Sequence, residues 1–293
     1  MPGPNSESGF PDRANGVRNL QGLPMKPHVA LAYSFLLGLL HGVLPDEHTW
    51  PITFSYAIGG ASGKAGLRAG LYFSAAFTVQ RALLSQLAYL ALAPLLVRPD
   101  VNGIVYIVVG IVMSAAGAIM LGRSHHPHPH LLGHRDARIH EAEAAAGSAH
   151  AMPARWTMIH GFIAGFGFEG FSVFVNTVAA PAMPSPWLGF VPGLLFGLGT
   201  MIVLAILGLL FGSFLRWTRS LTEGEIARIG TDTGARTLSY GGLLFVLFGG
   251  ATLVGWDRRL PVEAGYFLIG VFMVAVAVPA FIYSWRRAIA ARG

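Results

Sequence analysis

Residues 29–60 read VALAYSFLLGLLHGVLPDEHTWPITFSYAIGG, and the class of the fold turns on them. An apolar run over 29–44 meets the polar insert Pro45-Asp46-Glu47-His48-Thr49-Trp50-Pro51, and a second apolar run follows. A bilayer core of about 30 Å needs ~20 apolar residues as helix. The first run is too short to cross with ease, and the second cannot cross alone. Each proline removes a backbone donor and clashes with the preceding turn. The stretch therefore predicts one discontinuous membrane helix with a charged joint. Pro45 could open a new half-helix and set Asp46 and Glu47 at its positive end. The competing reading makes 45–50 an interfacial loop whose acids are simply solvated.

The rest of the chain repeats the apolar theme. Further runs cover 66–97, 101–122, 156–180, 187–215, 237–256 and 262–285, giving about seven transmembrane helices in an all-α polytopic membrane protein. Continuous rather than alternating runs exclude a β-barrel. Of 293 residues, 53% are hydrophobic and only 12% charged, roughly half the charge of a soluble domain. The absence of cysteine removes thiolate metal sites, disulfide relays and Cys nucleophiles. The net charge of +6 points to basic cytoplasmic loops rather than to nucleic acid. Residues 1–27 are rich in Pro, Gly and Asn, lack the apolar core of a secretory signal, and read as a flexible extracytoplasmic tail.

With seven crossings, thirteen Lys/Arg fall on one side and six on the other, Arg81 lying within the second run. The positive-inside rule puts the N-terminus outside and the C-terminus in the cytoplasm, in a plasma (inner) membrane. Leu40-His41-Gly42 recurs as Ile159-His160-Gly161, 119 residues on, with Gly70 and Phe77 matching Gly189 and Phe196. Gly117–Gly122 is echoed by Gly250–Gly255, 133 residues on. Three crossings repeated once must run in opposite senses, so the expected plan is a 3+3 inverted repeat plus one extra helix. Its boundaries are 28–122 for the first repeat, 123–155 for a cytoplasmic loop, 156–256 for the second repeat, and 257–293 for the extra helix and basic tail. Inverted repeats of this kind mark secondary transporters, with the site near the midplane.

Ionisable groups in a bilayer cost roughly 2.5–3.5 kcal/mol each at the centre and are functional by default. His41, Asp46, Glu47 and His48 of the first run, with His160 and Glu169 of the fourth, are the candidate metal ligands. Imidazole with carboxylate suits Ni2+, Co2+, Zn2+, Fe2+ or Mn2+. Gln80, Arg81 and Asn176 are placed on the transport path or as counter-charge; Arg81 either pairs with the acids or snorkels. His160, only four residues from Trp156, also reads as a lone structural histidine. Between the third and fourth runs lie His125, His126, His128, His130 and His134, with Pro127 and Pro129 at alternate positions keeping the tract extended. Such an extended tract offers accessory metal contacts rather than one geometric centre.

On these residues the chain resembles the nickel/cobalt transporter superfamily, in particular its NicO/UreH-like branch. The resemblance rests on the H-x4-D-x-H of His41, Asp46 and His48, on His160-Gly161, on Leu195-Phe-Gly-Leu-Gly-Thr-Met201, and on the His-rich loop. It covers about residues 30–256. It implies a divalent-metal permease with His41, Asp46 and His48 in the ion site. The chain departs from the family pattern by the extra Glu47 and by Phe77-Thr-Val-Gln-Arg81 where relatives carry a Gly/His pair.

The expected function is a secondary transporter of a divalent transition-metal cation, Ni2+ or Co2+ first, with export slightly favoured over uptake. Protons serve as coupling ions, the lipid bilayer is the surrounding partner, and no organic cofactor or nucleic acid is expected. Glycine-rich runs such as 194–212 allow packing within or between subunits, compatible with a homo-oligomer. Two other classes stand beside it: an intramembrane zinc-dependent hydrolase, and an exporter of a small anion or amino acid that uses Arg81.

Overall fold

The computed structural model describes residues 25–92, 99–125, 154–167, 169–218, 221–260 and 263–291. Among them the secondary structure is helix and turn, without a strand. In chain order the helices are α1 (Pro27–Val43), α2 (Trp50–Gly59), α3 (Gly63–Leu87), α4 (Pro99–His125), α5 (Ala154–Ala164), α6 (Gly170–Ala179), α7 (Val191–Ser213), α8 (Glu223–Leu253) and α9 (Ala264–Ala290). The His-rich tract from His126 through His128, His130 and His134 lies outside the described residues, as does the N-terminal tail up to residue 24. His125 is the last residue of α4.

Three segments are long and apolar enough to cross a membrane: Val101–Gly122, Pro186–Trp217 and Ala264–Ala290. At 1.5 Å per residue the shortest of these, 22 residues, spans about 33 Å. Their outer faces carry large apolar side chains in the open, among them Ile104, Ile111, Ile202, Ile206 and Val274. Continuous apolar surface of this kind is unusual on a soluble monomer and fits a protein embedded in lipid. The helices α3 and α8 are long but more polar, and α1 and α6 are short, so these do not meet the same measure.

Two of the predicted crossings are interrupted. In the first, Leu44 is forced into extended backbone (φ −71°, ψ 132°) by the proline after it, which ends α1. The chain restarts at Trp50 with Pro51 in the first turn, not at Pro45 as the sequence reading had it. The carbonyl of Asp46 accepts from Thr49 and Trp50 N–H (3.3 and 3.0 Å), and its carboxylate from His48 N–H (3.0 Å). The Trp50 indole N–H bridges the gap to the Gly42 carbonyl at 3.1 Å. In the second interruption, α5 ends at Ala164 and α6 begins at Gly170. Gly165, Gly167 and Gly170 crowd that junction, where glycine's conformational entropy disfavours helix.

The interior is built on glycine contacts between helices, and these contacts come in exchanged pairs. A Cβ at Gly38 would strike the Phe196 backbone, and one at Gly161 would strike the Phe73 backbone. Gly42 faces Val203 while Gly165 faces Gln80; Gly70 faces Leu204 while Gly193 faces Arg81. In every pair each residue lies 123 positions from its counterpart. Between α4 and α8 the spacing is 132: Gly110 meets Gly242 and Val246, and Gly242 meets Gly110 and Ser114. Gly117 meets Ala235 and Ser239, and Gly249 meets Gly103 and Ile107. Packing thus runs at 123 and 132, against the 119 and 133 read from short sequence matches.

These contacts predict a graded response. Gly242→Ala drives a methyl into the α4 backbone and is expected to destabilise by about 1–3 kcal/mol. Gly250→Ala, eight residues along the same helix with nothing near its Cβ position, is expected to be neutral or slightly stabilising. Thermal unfolding of the two variants in detergent checks the contrast.

Candidate metal centre

The two helix breaks bring their polar residues together. Asp46 belongs to two groupings at once: His41, Asp46 and Glu169 form one, and Asp46, Glu47 and His48 the other. Within each grouping one ligand atom per residue lies within 4.8 Å of the others. His41, Asp46 and His48 are 1%, 6% and 2% exposed, which rules out the solvated interfacial loop.

Each side chain is fixed by identifiable contacts. His41 Nδ1 sits 3.0 Å from Glu169 Oε2, and its ring packs in a triangle with Phe77 and Phe196 (centroids 5.6 and 5.2 Å away). His48 Nδ1 lies 3.4 Å from Glu47 Oε1 and 3.6 Å from Asp46 Oδ1, with its ring stacked on Tyr106 at 5.1 Å. Tyr106 of α4 donates its hydroxyl to Glu47 Oε1 at 2.9 Å. Glu169 is held at the start of α6 by its backbone: its N–H donates to Ser172 Oγ (3.1 Å), whose hydroxyl donates to the Glu169 carbonyl (2.9 Å). The Glu169 carboxylate faces His41 and Arg81.

Backbone closeness shapes the pocket as well. A Cβ at Gly167 would run into the His48 imidazole, and one at Gly265 of α9 into the Glu47 carboxylate. With any larger residue at either point, the His48 ring or the Glu47 carboxylate would have to shift. The Nε2 atoms of His41 and His48 are both buried and have no hydrogen-bond partner among the described residues. A buried imidazole nitrogen without a partner is costly, and a cation is one of the few things that satisfies it.

Arg81 resolves as a counter-charge rather than a snorkelling side chain. Its Nη2 donates to Glu169 Oε1 (3.2 Å) and to the Gly167 carbonyl (3.1 Å), and its guanidinium lies over the Phe77 ring at 4.8 Å. Arg81 is 3% exposed. With neutral imidazoles, the three carboxylates of Asp46, Glu47 and Glu169 against this one guanidinium leave a formal charge of about −2.

His160 does not join the centre. Its Nδ1 is 2.6 Å from the Tyr56 hydroxyl and 3.1 Å from the Trp156 carbonyl, one turn back on α5. Neither grouping of ligand atoms includes it. The expectation that the His41-Gly42 and His160-Gly161 matches mark equivalent positions fails in the packing, where Gly42 corresponds to Gly165 and His41 to Ala164. Gln80 abuts Gly165, next to the break, and Asn176 is buried on α6; among the described residues neither the Gln80 amide nor Asn176 Nδ2 has a hydrogen-bond partner. Sequence reasoning missed Tyr106, Tyr56 and Gly265. A lone tyrosine in an apolar run and a glycine at a helix start carry no signal of their own.

Weakening the support around a ligand is expected to show in affinity. Tyr106→Phe keeps the ring under His48 and removes the hydroxyl from Glu47, so metal binding should fall by about tenfold, measurable by calorimetry on purified protein. No protein-family model, curated protein or solved structure matches the chain.

Proposed function

We propose that the protein is a secondary transporter of a divalent transition-metal cation, Ni2+ or Co2+ first, as the resemblance to the nickel/cobalt superfamily implies. The observation that carries this reading is the buried cluster at two helix breaks. Two imidazoles and three carboxylates offset by one arginine present a formal charge that a single divalent cation neutralises. Discontinuous helices that pair in a membrane interior are the usual frame for an ion site in transporters. The nitrogen and oxygen donor set suits first-row divalent metals and not Cu(I).

The same reading places seven crossings in the membrane, with α1–α2 as the first and α5–α6 as the fourth. The exchanged glycine contacts support a three-helix unit used twice in opposite senses, with α9 added outside it. Asp46 and Glu169 stand 123 residues apart and so occupy equivalent places in the two units. The N-terminus lies outside, the C-terminus and the His-rich loop in the cytoplasm, and export is favoured over uptake because that loop would collect metal on the inner side.

A decisive test is metal flux into proteoliposomes loaded with a metal-sensitive dye. His41→Ala and His48→Ala should both abolish it; retention of full flux by both would overturn the reading. Metal must displace protons from imidazole and carboxylate, so flux at fixed metal should fall as the pH is lowered from neutral toward acid. A flat profile across that range would count against ligation by histidine.

One observation favours a second reading, export of a small anion or amino acid. Arg81 Nε and Nη1 are buried without a partner among the described residues, two donors that a carboxylate would accept from. That reading requires Arg81→Ala to abolish transport of an anion while no metal binds. The formal charge of the cluster opposes it.

A further inference from the structure

Polar atoms continue away from the centre along one face of each short helix. On α2, Thr49, Thr53 and Tyr56 follow Asp46 at spacings of three, seven and ten residues, with Thr49, Thr53 and Tyr56 on a common face. On α6, Ser172 and Asn176 follow Glu169 at three and seven residues. Thr49 and Thr53 are 0% and 1% exposed, and Asn176 is 2% exposed. Thr53 Oγ1, Asn176 Nδ2 and His160 Nε2 have no hydrogen-bond partner among the described residues.

Thr233 and Ser239 of α8 are likewise without a partner among the described residues. Most other buried hydroxyls bond the carbonyl one turn back, as Ser55 does to Pro51 (2.7 Å), Thr78 to Ser74 (2.7 Å) and Thr237 to Thr233 (3.0 Å). Thr53 lies on the same helix as Ser55 and does not. A buried hydroxyl or amide left free of protein needs water or a passing ion beside it. In a membrane interior that cost rises, and free polar atoms that follow one helix face away from a charged centre fit the lining of a water-filled route.

We infer that the polar faces of α2 and α6 line two half-routes, which lead from the Asp46–Glu169 centre to opposite sides of the membrane. Thr49, Thr53 and the Tyr56–His160 pair line the cytoplasmic half, and Ser172 and Asn176 line the outer half. The inference rests on the transporter reading for its cargo, and on the exchanged glycine contacts for its geometry: residues 49 and 53 correspond to 172 and 176 at the same 123 spacing, in units of opposite sense. It also gives His160 a role that the metal centre does not, as the inner end of the α2 route beside the Tyr56 hydroxyl.

The chain contains no cysteine, so single thiols can be introduced into the otherwise unaltered protein. Thr53→Cys and Asn176→Cys, each in sealed vesicles of known orientation, are treated with a membrane-impermeant cationic methanethiosulfonate. Thr53→Cys should react only from the cytoplasmic face and Asn176→Cys only from the outer face. Val79→Cys and Ile202→Cys, on exposed apolar faces, should react at least tenfold more slowly from either side. Thr49→Cys and Ser172→Cys give a second pair should either first variant fail to insert.

Reaction of both members from one side, or of neither pair, overturns the half-routes. If the sidedness holds while His48→Ala keeps full metal flux, the routes stand and the place of His48 in the centre falls. If His48→Ala abolishes flux and the sidedness fails, the centre stands and the routes fall.

Discussion

Replacing His48 with alanine is expected to lower metal binding and flux by on the order of a hundredfold or more, since even support residues around a metal ligand are worth ten- to a hundredfold. His48 is the strongest single test because its surroundings serve one purpose. Its Nδ1 faces Glu47 and Asp46, its ring is held against Tyr106, and Gly167 gives way to its other edge. Its Nε2 is buried and has no partner among the described residues. Alanine removes a nitrogen donor without leaving a new charge, so the protein should remain folded. Calorimetric titration with Ni2+ and with Co2+, beside dye-reported flux, reads both quantities. Retention of wild-type affinity in His48→Ala would remove the histidine from the centre altogether.

The second large effect concerns Arg81 and Glu169. Glu169→Ala strips Arg81 of its carboxylate and leaves a guanidinium that is 3% exposed with only the Gly167 carbonyl to accept from it. Breaking a buried pair by removing one partner costs about 3–5 kcal/mol, whereas replacing both by apolar groups of similar volume is close to neutral. Single variants Glu169→Ala and Arg81→Met should therefore lose much stability in detergent, and the double variant Arg81→Met with Glu169→Leu should recover most of it. Additive losses in the double variant would show that the two charges are not coupled. Metal flux separates a further role: the double variant should be stable and inactive, because Glu169 also faces His41.

How far the sequence carried the argument is visible residue by residue. The break after Leu44 was legible because Pro45 restricts the residue before it and a polar insert cannot sit in lipid-facing helix. Its restart at Trp50 was not, because it depends on Asp46 turning its carbonyl and carboxylate onto the next backbone amides. Five of the six expected ligands come together, and the one that does not, His160, was tied to the centre by a short match in a glycine-rich chain. Such chains offer many accidental matches, while contacts between helix backbones admit one register. The tract from His126 to His134 lies outside the described residues, so its accessory role rests on composition alone. Tyr106 escaped notice because its value comes from the helix it faces, which no local pattern encodes.

The exchanged contacts are alike in backbone and unlike in chemistry. Where one arm carries His41, the other has Ala164, and where one carries Tyr56, the other has Ala179. A cargo that reaches the middle from the two compartments would therefore meet different barriers, with hydroxyls, phenol and imidazole along one approach and one hydroxyl with an amide along the other. Such a lopsided pair of arms leaves the final equilibrium untouched, since that is set by the gradients alone. It makes half-saturation differ between the two faces, so that a carrier free to run either way is tuned to fill from one of them.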